Sequence, residues 1–385
     1  MSNQPSNPTE KLRVLVAGGG VAAIEAILAL HELAGDRVSV SVLAPNSEFV
    51  YRPMTVREPF AYSQARRYEL APIVRHAGAE LIEGELGWID RDAQVVHTTD
   101  ERELHYDALL LALGARVTSR YKHCITIDDR RMDEALHGLI QDVEGGYADS
   151  IAFVAPARMA WPFPLYELAL MTAGRAYDSG VKLETTIITS EDGPLAIFGS
   201  EVSRGVAELL EEANIKVINS AYVEVPASGE LVINPGDRKM HFKRIVALPE
   251  LYGPSVRGIP VSEHGFIRVN RFGRVPDAGP VYAAGDAIDF PIKQGGLGSQ
   301  QADVAAESIA ALAGVELDPK PFKPVIHGML LTDDRPRYMS AKIIGGQGES
   351  SHFGENPPSG GAEQKITARY LTPYLESLDN EGIPA

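Results

Sequence analysis

The chain has 385 residues, of which 44% are hydrophobic and 23% charged, so its length and composition predict a globular protein of two or three domains. Its formal net charge of -16 at pH 7 disfavours binding to nucleic acid or to anionic membrane surfaces. The single cysteine, Cys124, excludes an intrachain disulfide, and the spacing of the ten histidines gives no reason to expect a metal site.

The amino-terminal segment lacks the apolar core of an export signal, and no run reaches the roughly 18 apolar residues of a membrane span. The acidic carboxyl terminus does not present a basic amphipathic face. We therefore expect a cytoplasmic protein, with peripheral membrane contact left open but not favoured.

The first pattern in the chain is a βαβ unit over residues 13–44, with three consecutive glycines between its first strand and its helix. Gly18, Gly20 and Ala23 have the GxGxxA spacing of a dinucleotide-binding turn. In such a turn the first glycine permits the bend, the second lets a pyrophosphate approach, and the third position allows close helix-strand contact. An ordinary glycine turn is the alternative.

One element of that pattern is missing. The second strand normally ends in an acidic residue that binds the ribose hydroxyls, but here it ends in Ala44, followed by Pro45. We expect Asn46 or Ser47 to take this role, or the adenosine end to be held more loosely.

The rest of the chain alternates apolar runs with helical patterns. The expected elements are strands at 106–115, 151–156, 184–190, 244–250 and 280–291, helices beginning near Pro164 and covering 201–213 and 300–313, a hairpin turned at 235–237, a flexible Gly/Ser/Pro-rich loop at 344–361, and a short docking helix within 365–378.

The order of these signals resembles the pyridine nucleotide-disulfide oxidoreductase superfamily over roughly residues 12–375. The segments 46–53 and 291–296 are similar to those that flank the flavin in sulfide:quinone oxidoreductases, flavocytochrome c sulfide dehydrogenases and type II NADH dehydrogenases. The resemblance implies an α/β fold with two Rossmann-like domains, parallel sheets and a carboxyl-terminal interface segment. The implied division is 1–150 and 245–312 for the FAD-binding domain, 151–244 for a second nucleotide-binding-like domain, and 313–385 for the interface segment.

FAD is the cofactor that the resemblance implies, with covalent attachment left undecided. Asp286 would bond the ribitol or its neighbouring phosphate, and Lys293 with the helix start after it would lie near the flavin's pyrimidine edge. The residues expected to contact FAD are Gly18, Gly19, Gly20, Val21, Ala22, Ala23, Asn46, Arg52, Pro53, Leu86, Ala112, Leu113, Gly114, Gly285, Asp286, Lys293, Gln294 and Gly295.

The second strand-turn-helix pattern, at 153–168, lacks the glycines that a pyrophosphate requires and carries Trp161, Pro162, Phe163 and Pro164 instead. Prolines have no N–H to donate, and the rings fill the space of a phosphate, so we expect no nicotinamide site there. Trp161, Phe163 and Tyr166 would wall an apolar pocket over the flavin, with aromatic core packing as the alternative.

By the same resemblance, Trp161 stands where sulfide:quinone oxidoreductases have one redox cysteine, and Phe272, at the end of the strand-like stretch 265–272, stands where they have another. Sulfur transfer of that kind needs two thiols, so sulfide oxidation is not expected. A buried, unreactive Cys124 is favoured over a nucleophile.

The residues expected to act in catalysis are Lys293, Glu167, Trp161 and Tyr166. Lys293 would stabilise negative charge on the reduced flavin, with an exposed loop lysine as the alternative. Glu167 would carry a proton, with a solvated helix glutamate as the alternative.

The expected function is electron transfer from a non-nicotinamide donor through FAD to a quinone-like or protein acceptor. The alternatives are a type II NAD(P)H dehydrogenase and a flavin-binding protein without turnover. The donor, the acceptor and the oligomeric state, including a homodimer, stay open.

Overall fold

The computed structural model describes residues 11–61, 65–332, 335–358 and 364–380. Its strands, in chain order, are β1 (Leu12–Ala17), β2 (Val38–Ala44), β3 (Glu48–Val50), β4 (Arg67–Glu69), β5 (Glu80–Glu83), β6 (Leu86–Asp90), β7 (Val95–Thr98), β8 (Glu103–His105), β9 (Ala108–Leu111), β10 (Arg116–Thr118), β11 (Ile125–Thr126), β12 (Ser150–Val154), β13 (Glu184–Ile188), β14 (Lys216–Ile218), β15 (Tyr222–Ala227), β16 (Glu230–Asn234), β17 (Arg238–His241), β18 (Arg244–Ala247), β19 (Glu250–Tyr252), β20 (Val281–Ala283), β21 (Val325–Leu330), β22 (Arg337–Ile344) and β23 (Gln347–Gly354).

The α-helices are α1 (Val21–Ala34), α2 (Leu70–His76), α3 (Met132–Glu144), α4 (Phe163–Asp178), α5 (Ser200–Glu212), α6 (Gly295–Leu312) and α7 (Leu371–Asn380). A longer 3-10 segment covers Arg52–Phe60.

A five-stranded sheet in the order β20-β9-β1-β2-β5 forms the first unit, and all of its pairings are parallel. The apolar faces of α1, α6 and α7 pack on one side of this sheet. The strand β20 comes from far along the chain, so this sheet combines distant parts of the sequence. Parallel strands buried on both faces explain why β1 and β9 are continuous apolar runs.

A second five-stranded parallel sheet has the order β11-β18-β12-β13-β14. The mixed α/β fold with two parallel sheets confirms the predicted fold class. The strand order places β11, and nearly all of β18, in this sheet although they lie outside the predicted range 151–244. The domain boundaries themselves stay a prediction. Two small two-stranded sheets, β10 with β19 and β3 with β4, are antiparallel.

The carboxyl-terminal sheet β21-β22-β23 corrects one expectation. The Gly/Ser-rich stretch predicted as a flexible loop at 344–361 contains β23, which pairs with β22 in an antiparallel hairpin. Residues 359–361 lie outside the described part of the chain. Glycine and serine are used here because β23 lies against the backbone of another segment: a Cβ on Gly348 would come within 1.9 Å of the carbonyl oxygen of Ile197.

Two further expectations were partly wrong. The stretch 265–272 is not a strand, and only Ile267 in it forms isolated bridges. The strand expected over 280–291 is confined to β20, because the chain turns at once into Gly285 and Asp286. The docking helix expected within 365–378 is confirmed as α7. No helix among the described residues is long and apolar enough to cross a membrane.

Candidate functional site

The glycine turn after β1 is tightly packed at Gly18 and open at Gly20. Gly18 has φ +130°, and a Cβ there would lie 2.2 Å from the carbonyl oxygen of Ala112. Gly20, by contrast, has no heavy atom within 4 Å of the Cβ position. The first glycine is therefore required by the fold, whereas the third leaves room for a group to approach the amino terminus of α1.

The segments that the sequence assigned to cofactor binding meet around this turn. Ala112, with Leu113 and Gly114 after it, touches Gly18, and the Cβ of Ala22 lies 3.0 Å from the Cβ position of Gly285. The N–H of Gly285 donates to the side-chain oxygen of Gln301 on α6, at 2.9 Å. Parts of the chain more than 260 residues apart thus form one edge, at the carboxyl ends of β1, β9 and β20.

Asp286 and Lys293 lie within electrostatic reach of each other near this edge. Burial raises the pKa of Asp286 to about 6, and the positive charge of Lys293 offsets part of that rise. Burial lowers the pKa of Lys293 to about 8, and Asp286 and Asp289 offset part of that fall. The side chain of Lys293 lies over the ring of Phe266, with Nζ 3.9 Å from the ring centre, and it donates a hydrogen bond to the carbonyl of Ile288.

Arg52 lies within electrostatic reach of Asp286, as does Asp129, which the sequence did not single out. Arg52 donates to Asp129 at 3.4 Å. Pro53 follows Arg52 at the start of the 3-10 segment. Asp129 comes from the loop after β11, so this ion pair joins the two parallel-sheet units next to the predicted flavin region.

The start of α6 is held by side-chain and backbone contacts. The side-chain oxygen of Gln294 accepts the N–H of Leu297 at 2.8 Å and so caps the helix, while its amide donates to the carbonyl of His327. The backbone N–H of Lys293 donates to the carbonyl of Ala160 at 3.2 Å. Gly295 packs directly against Ile366.

Two predicted cofactor contacts lie further out. Asn46 is exposed in the loop after β2. Leu86 begins β6 and packs, partly buried, against the hydrophobic cluster on the other face of the first sheet.

The aromatic residues in the turn between β12 and α4 form a stack. The rings of Trp161 and Phe163 are 5.2 Å apart with an interplanar angle of 8°, and Phe163 packs on Phe198 at 5.8 Å. A Cβ on Gly328 of β21 would come within 2.7 Å of the Phe163 ring. Phe163 is 4% exposed, whereas Trp161 is partly exposed.

Tyr166 lies inside the second parallel-sheet unit. Its ring is fully buried, and its hydroxyl donates to Glu191 at 2.7 Å. Burial raises the pKa of Glu191 to about 7, with hydrogen bonds from Tyr166 and Thr189 opposing the rise. Core packing, which was the alternative, describes Tyr166.

Glu167 is not a solvated helix glutamate. Its carboxylate is 2% exposed and accepts two contacts from the Lys365 ammonium, at 2.6 and 2.7 Å. It also accepts the N–H of Leu331 at 2.9 Å. Burial raises the pKa of Glu167, and Lys365 opposes that rise. This pair fastens the carboxyl-terminal segment to α4.

A second buried carboxylate, Glu25, was missed by sequence reasoning. It accepts the N–H groups of Tyr370 and Leu371 at 3.0 and 2.6 Å and so caps α7 from within α1. Asp303 on α6 lies beside it, and burial, followed by the charge of Glu25, raises the pKa of Asp303 to about 8. The signal that could have identified it is the single glutamate in the otherwise apolar run VAAIEAILAL at the start of α1.

Cys124 is partly buried, and burial raises the pKa of its thiol. Its Sγ lies 3.7 Å from the carbonyl of Tyr121. A raised pKa disfavours the thiolate that a nucleophile requires.

The comparisons with known proteins agree with this arrangement. The family model for pyridine nucleotide-disulphide oxidoreductases matches residues 12–131. The chain is 24% identical to the sulfide-quinone reductase of Aquifex aeolicus (strain VF5) over 260 residues, which are 63% of this chain and 59% of that protein. It is 25% identical to rhodocoxin reductase of Rhodococcus erythropolis over 304 residues, which are 73% and 66% of the two chains.

The match to the curated sulfide-quinone reductase thus spans less than two thirds of that relative. The crystal structure of the sulfide:quinone oxidoreductase from Aquifex aeolicus superimposes with a TM-score of 0.77 at 20% sequence identity, covering 90% of this chain and 87% of the other. At this identity the superposition establishes the fold.

The described residues fit FAD, the cofactor of this family. The open space at Gly20, the uncapped start of α1 and the Asp286–Lys293 pair provide room and charge for its pyrophosphate and flavin ends. The match over 12–131 and the fold make the chain similar to the pyridine nucleotide-disulphide oxidoreductase superfamily, which its sequence was predicted to resemble.

Proposed function

We propose that the protein is an FAD-dependent oxidoreductase whose electron donor is not a nicotinamide, and whose acceptor is a quinone-like compound or a protein. The proposal rests on the second parallel-sheet unit, where protein side chains lie at the edge that would bind a second dinucleotide. Such a unit binds a dinucleotide at the carboxyl ends of its strands, with the pyrophosphate at the first turn and the ribose at the end of the second strand.

The pyrophosphate position is filled. The helix α4 starts at Phe163 between two prolines, and neither Pro162 nor Pro164 has an N–H for a phosphate. The stacked rings of Trp161 and Phe163 take up the space beside the turn.

The ribose position is engaged by the protein itself. Glu191 follows β13, where a ribose-binding carboxylate is expected, but it accepts the hydroxyl of Tyr166 at 2.7 Å and that of Thr189 at 3.1 Å. Both hydroxyls reach the same oxygen, Oε2, so a ribose would compete with them there or bind Oε1 alone.

The next part of the same edge is covered by β23. The hydroxyl of Ser350 donates to the carbonyl of Phe198 at 2.6 Å, and the ring of Phe353 lies against Gly205 on α5. The aromatic turn, the hydrogen-bonded Glu191 and the covering strand β23 together support a donor other than NADH or NADPH.

FAD supplies the two-electron chemistry when bound. Lys293 would hold positive charge at the flavin edge, and the capped start of α6 would add its helix dipole. Trp161, the partly exposed ring of the stack, is the candidate contact for a flat substrate. Glu167 stays a predicted proton carrier. Its three contacts favour an anchoring role, because a proton on the carboxylate would weaken its ion pair with Lys365.

The acceptor is inferred from the names of the relatives. One relative is called a quinone reductase and the other a reductase of rhodocoxin, so a quinone and a small redox protein are the two acceptor classes to test. The single cysteine does not support the two-thiol sulfur transfer described above.

The acceptor half can be tested with photoreduced holoprotein under anaerobic conditions. Mixing with a short-chain quinone should reoxidise the flavin. Lys293→Met should make the flavin's reduction potential more negative, because the positive charge that stabilises the reduced flavin is lost. The matched control, Lys320→Met, removes an exposed lysine and should leave the potential unchanged. Failure of quinones and of small iron-sulfur proteins alike to reoxidise the flavin would contradict the proposal.

A further inference from the structure

A cavity of about 630 Å³ that is wide open to solvent lies where the strands β2 and β5 end. In the register of this parallel pair Ala44 lies opposite Glu83, and the N–H of Gly84 donates to the carbonyl of Ala44 at 3.0 Å. The residues that line the cavity are Pro45, Glu83, Gly84, Glu85, Asp100 and Arg102.

This cavity adjoins the glycine turn. The N–H of Gly18 donates to the carbonyl of Leu43 at 2.8 Å, and the Cβ position of Gly19 is 3.2 Å from the Cβ of Ala44. In a dinucleotide fold the pyrophosphate sits at the start of α1 and the adenosine extends over the following strand. With the strand order β1-β2-β5, that direction leads from the glycine turn into the cavity.

Arg102, from the segment between β7 and β8, is held in place at the cavity wall. Its Nε donates to Asp100 at 2.9 Å, and its Nη2 donates to the carbonyl of Glu83 at 2.6 Å. The same Nη2 lies 2.4 Å from the position that a Cβ on Gly84 would occupy, so only a glycine leaves room for the guanidinium here. The side chain is 43% exposed, which leaves part of the guanidinium available to a ligand.

The chemistry of this wall suits an adenosine. A guanidinium plane packs well on an aromatic ring system such as adenine. Carboxylates accept hydrogen bonds from ribose hydroxyls, and Glu83 and Glu85 are exposed at the cavity. Glu83 and Glu85 lie at the end of β5, next to the end of β2, where the sequence lacks the usual acidic residue.

We propose that Arg102 is the residue that recognises the adenosine half of FAD in this cavity, with Glu83 and Glu85 in the place of the acid missing after β2. The proposal rests on FAD as the cofactor and is independent of the electron donor and acceptor. It replaces the expectation that Asn46 or Ser47 takes this role.

The test measures flavin binding to the full chain after removal of FAD, by the change in flavin fluorescence. In the wild type, ADP should compete with FAD. Arg102→Ala should raise the Kd for FAD about ten-fold, the size expected for one lost charged stacking contact. The Kd for FMN, which has no adenosine, should not change. Arg91→Ala, which removes a comparably exposed arginine, is the matched control and should bind both flavins like the wild type.

The FMN measurement also reports on folding, because a misfolded variant would lose both flavins. In an Arg102→Ala variant that melts at the wild-type temperature, an unchanged Kd for FAD or an equal loss of FAD and FMN binding would overturn the proposal, and so would a lack of competition by ADP in the wild type. None of these results depends on electron transfer, so a wrong donor or acceptor would not be mistaken for a wrong adenosine site.

Discussion

The buried pair between Glu167 and Lys365 allows a sharp prediction of stability. The two residues are 198 positions apart in the chain, and their side chains are 2% and 6% exposed. Replacing Lys365 by methionine removes two of the three described contacts to the carboxylate and leaves the charge buried with only the N–H of Leu331. Breaking a buried pair in this way costs about 3–5 kcal/mol. We expect Lys365→Met to lower the free energy of unfolding by that amount at neutral pH.

The pH dependence of that loss has a definite sign. Burial already raises the pKa of Glu167, and loss of the ammonium raises it further. As the pH falls through this higher pKa, the carboxyl group of the variant becomes neutral and costs less to bury. The destabilisation by Lys365→Met should therefore be largest at neutral pH and smaller in mild acid.

The assay is denaturant unfolding, with hydrogen exchange of residues 364–371 to detect local release of the segment. The double variant Glu167→Gln/Lys365→Met should recover much of the loss, because no buried charge remains. Lys320→Met, at an exposed pair with Asp318, should leave stability unchanged. The reasoning fails if Lys365→Met is as stable as the wild type, or if the double variant loses the sum of the two single losses.

Two further predictions concern the glycine turn and the buried carboxyl pair. Gly18→Ala should destabilise the fold, because at a φ of +130° its Cβ would clash with the carbonyl oxygen of Ala112. Gly20→Ala should fold normally but bind FAD more weakly. Thermal melting measures the first effect and flavin titration the second, and equal behaviour of the two variants would refute the distinction. For Asp303 the raised folded-state pKa means that its contribution to stability is present below about pH 4 and lost as the pH rises towards 8. Asp303→Asn should therefore gain stability relative to the wild type across this window, and a constant difference between the two would contradict the assignment.

The parts of the fold that the sequence predicted correctly are determined by residues close to one another in the chain. The turn around Gly18, the helix α1 and the helix α4 each follow from a short apolar or glycine-containing stretch. The late Gly285–Asp286 turn was located by resemblance to the family. These signals are local because strand, turn and helix each form within about 30 residues.

The features that were missed depend on contacts between distant segments. The sequence around Lys365 does not indicate that its partner is Glu167, and the exposed-glutamate alternative was wrong for this reason. The Gly/Ser-rich stretch around Gly348 is typical of a loop, but small residues are also what a strand needs when it lies against another backbone. Tyr166 was expected to line a pocket because the local sequence does not show that residues from the whole second parallel-sheet unit bury its side chain.

The central claim is that protein atoms occupy the second dinucleotide site. The most direct measurement mixes the FAD-loaded protein with excess NADH, and separately NADPH, under anaerobic conditions while the oxidised flavin absorbance is followed. We predict that the flavin band persists with both nucleotides and is bleached by dithionite in the same sample. Rapid bleaching by NADH or NADPH would show that the turn carrying Trp161 admits a nicotinamide, and the proposed function would then be wrong.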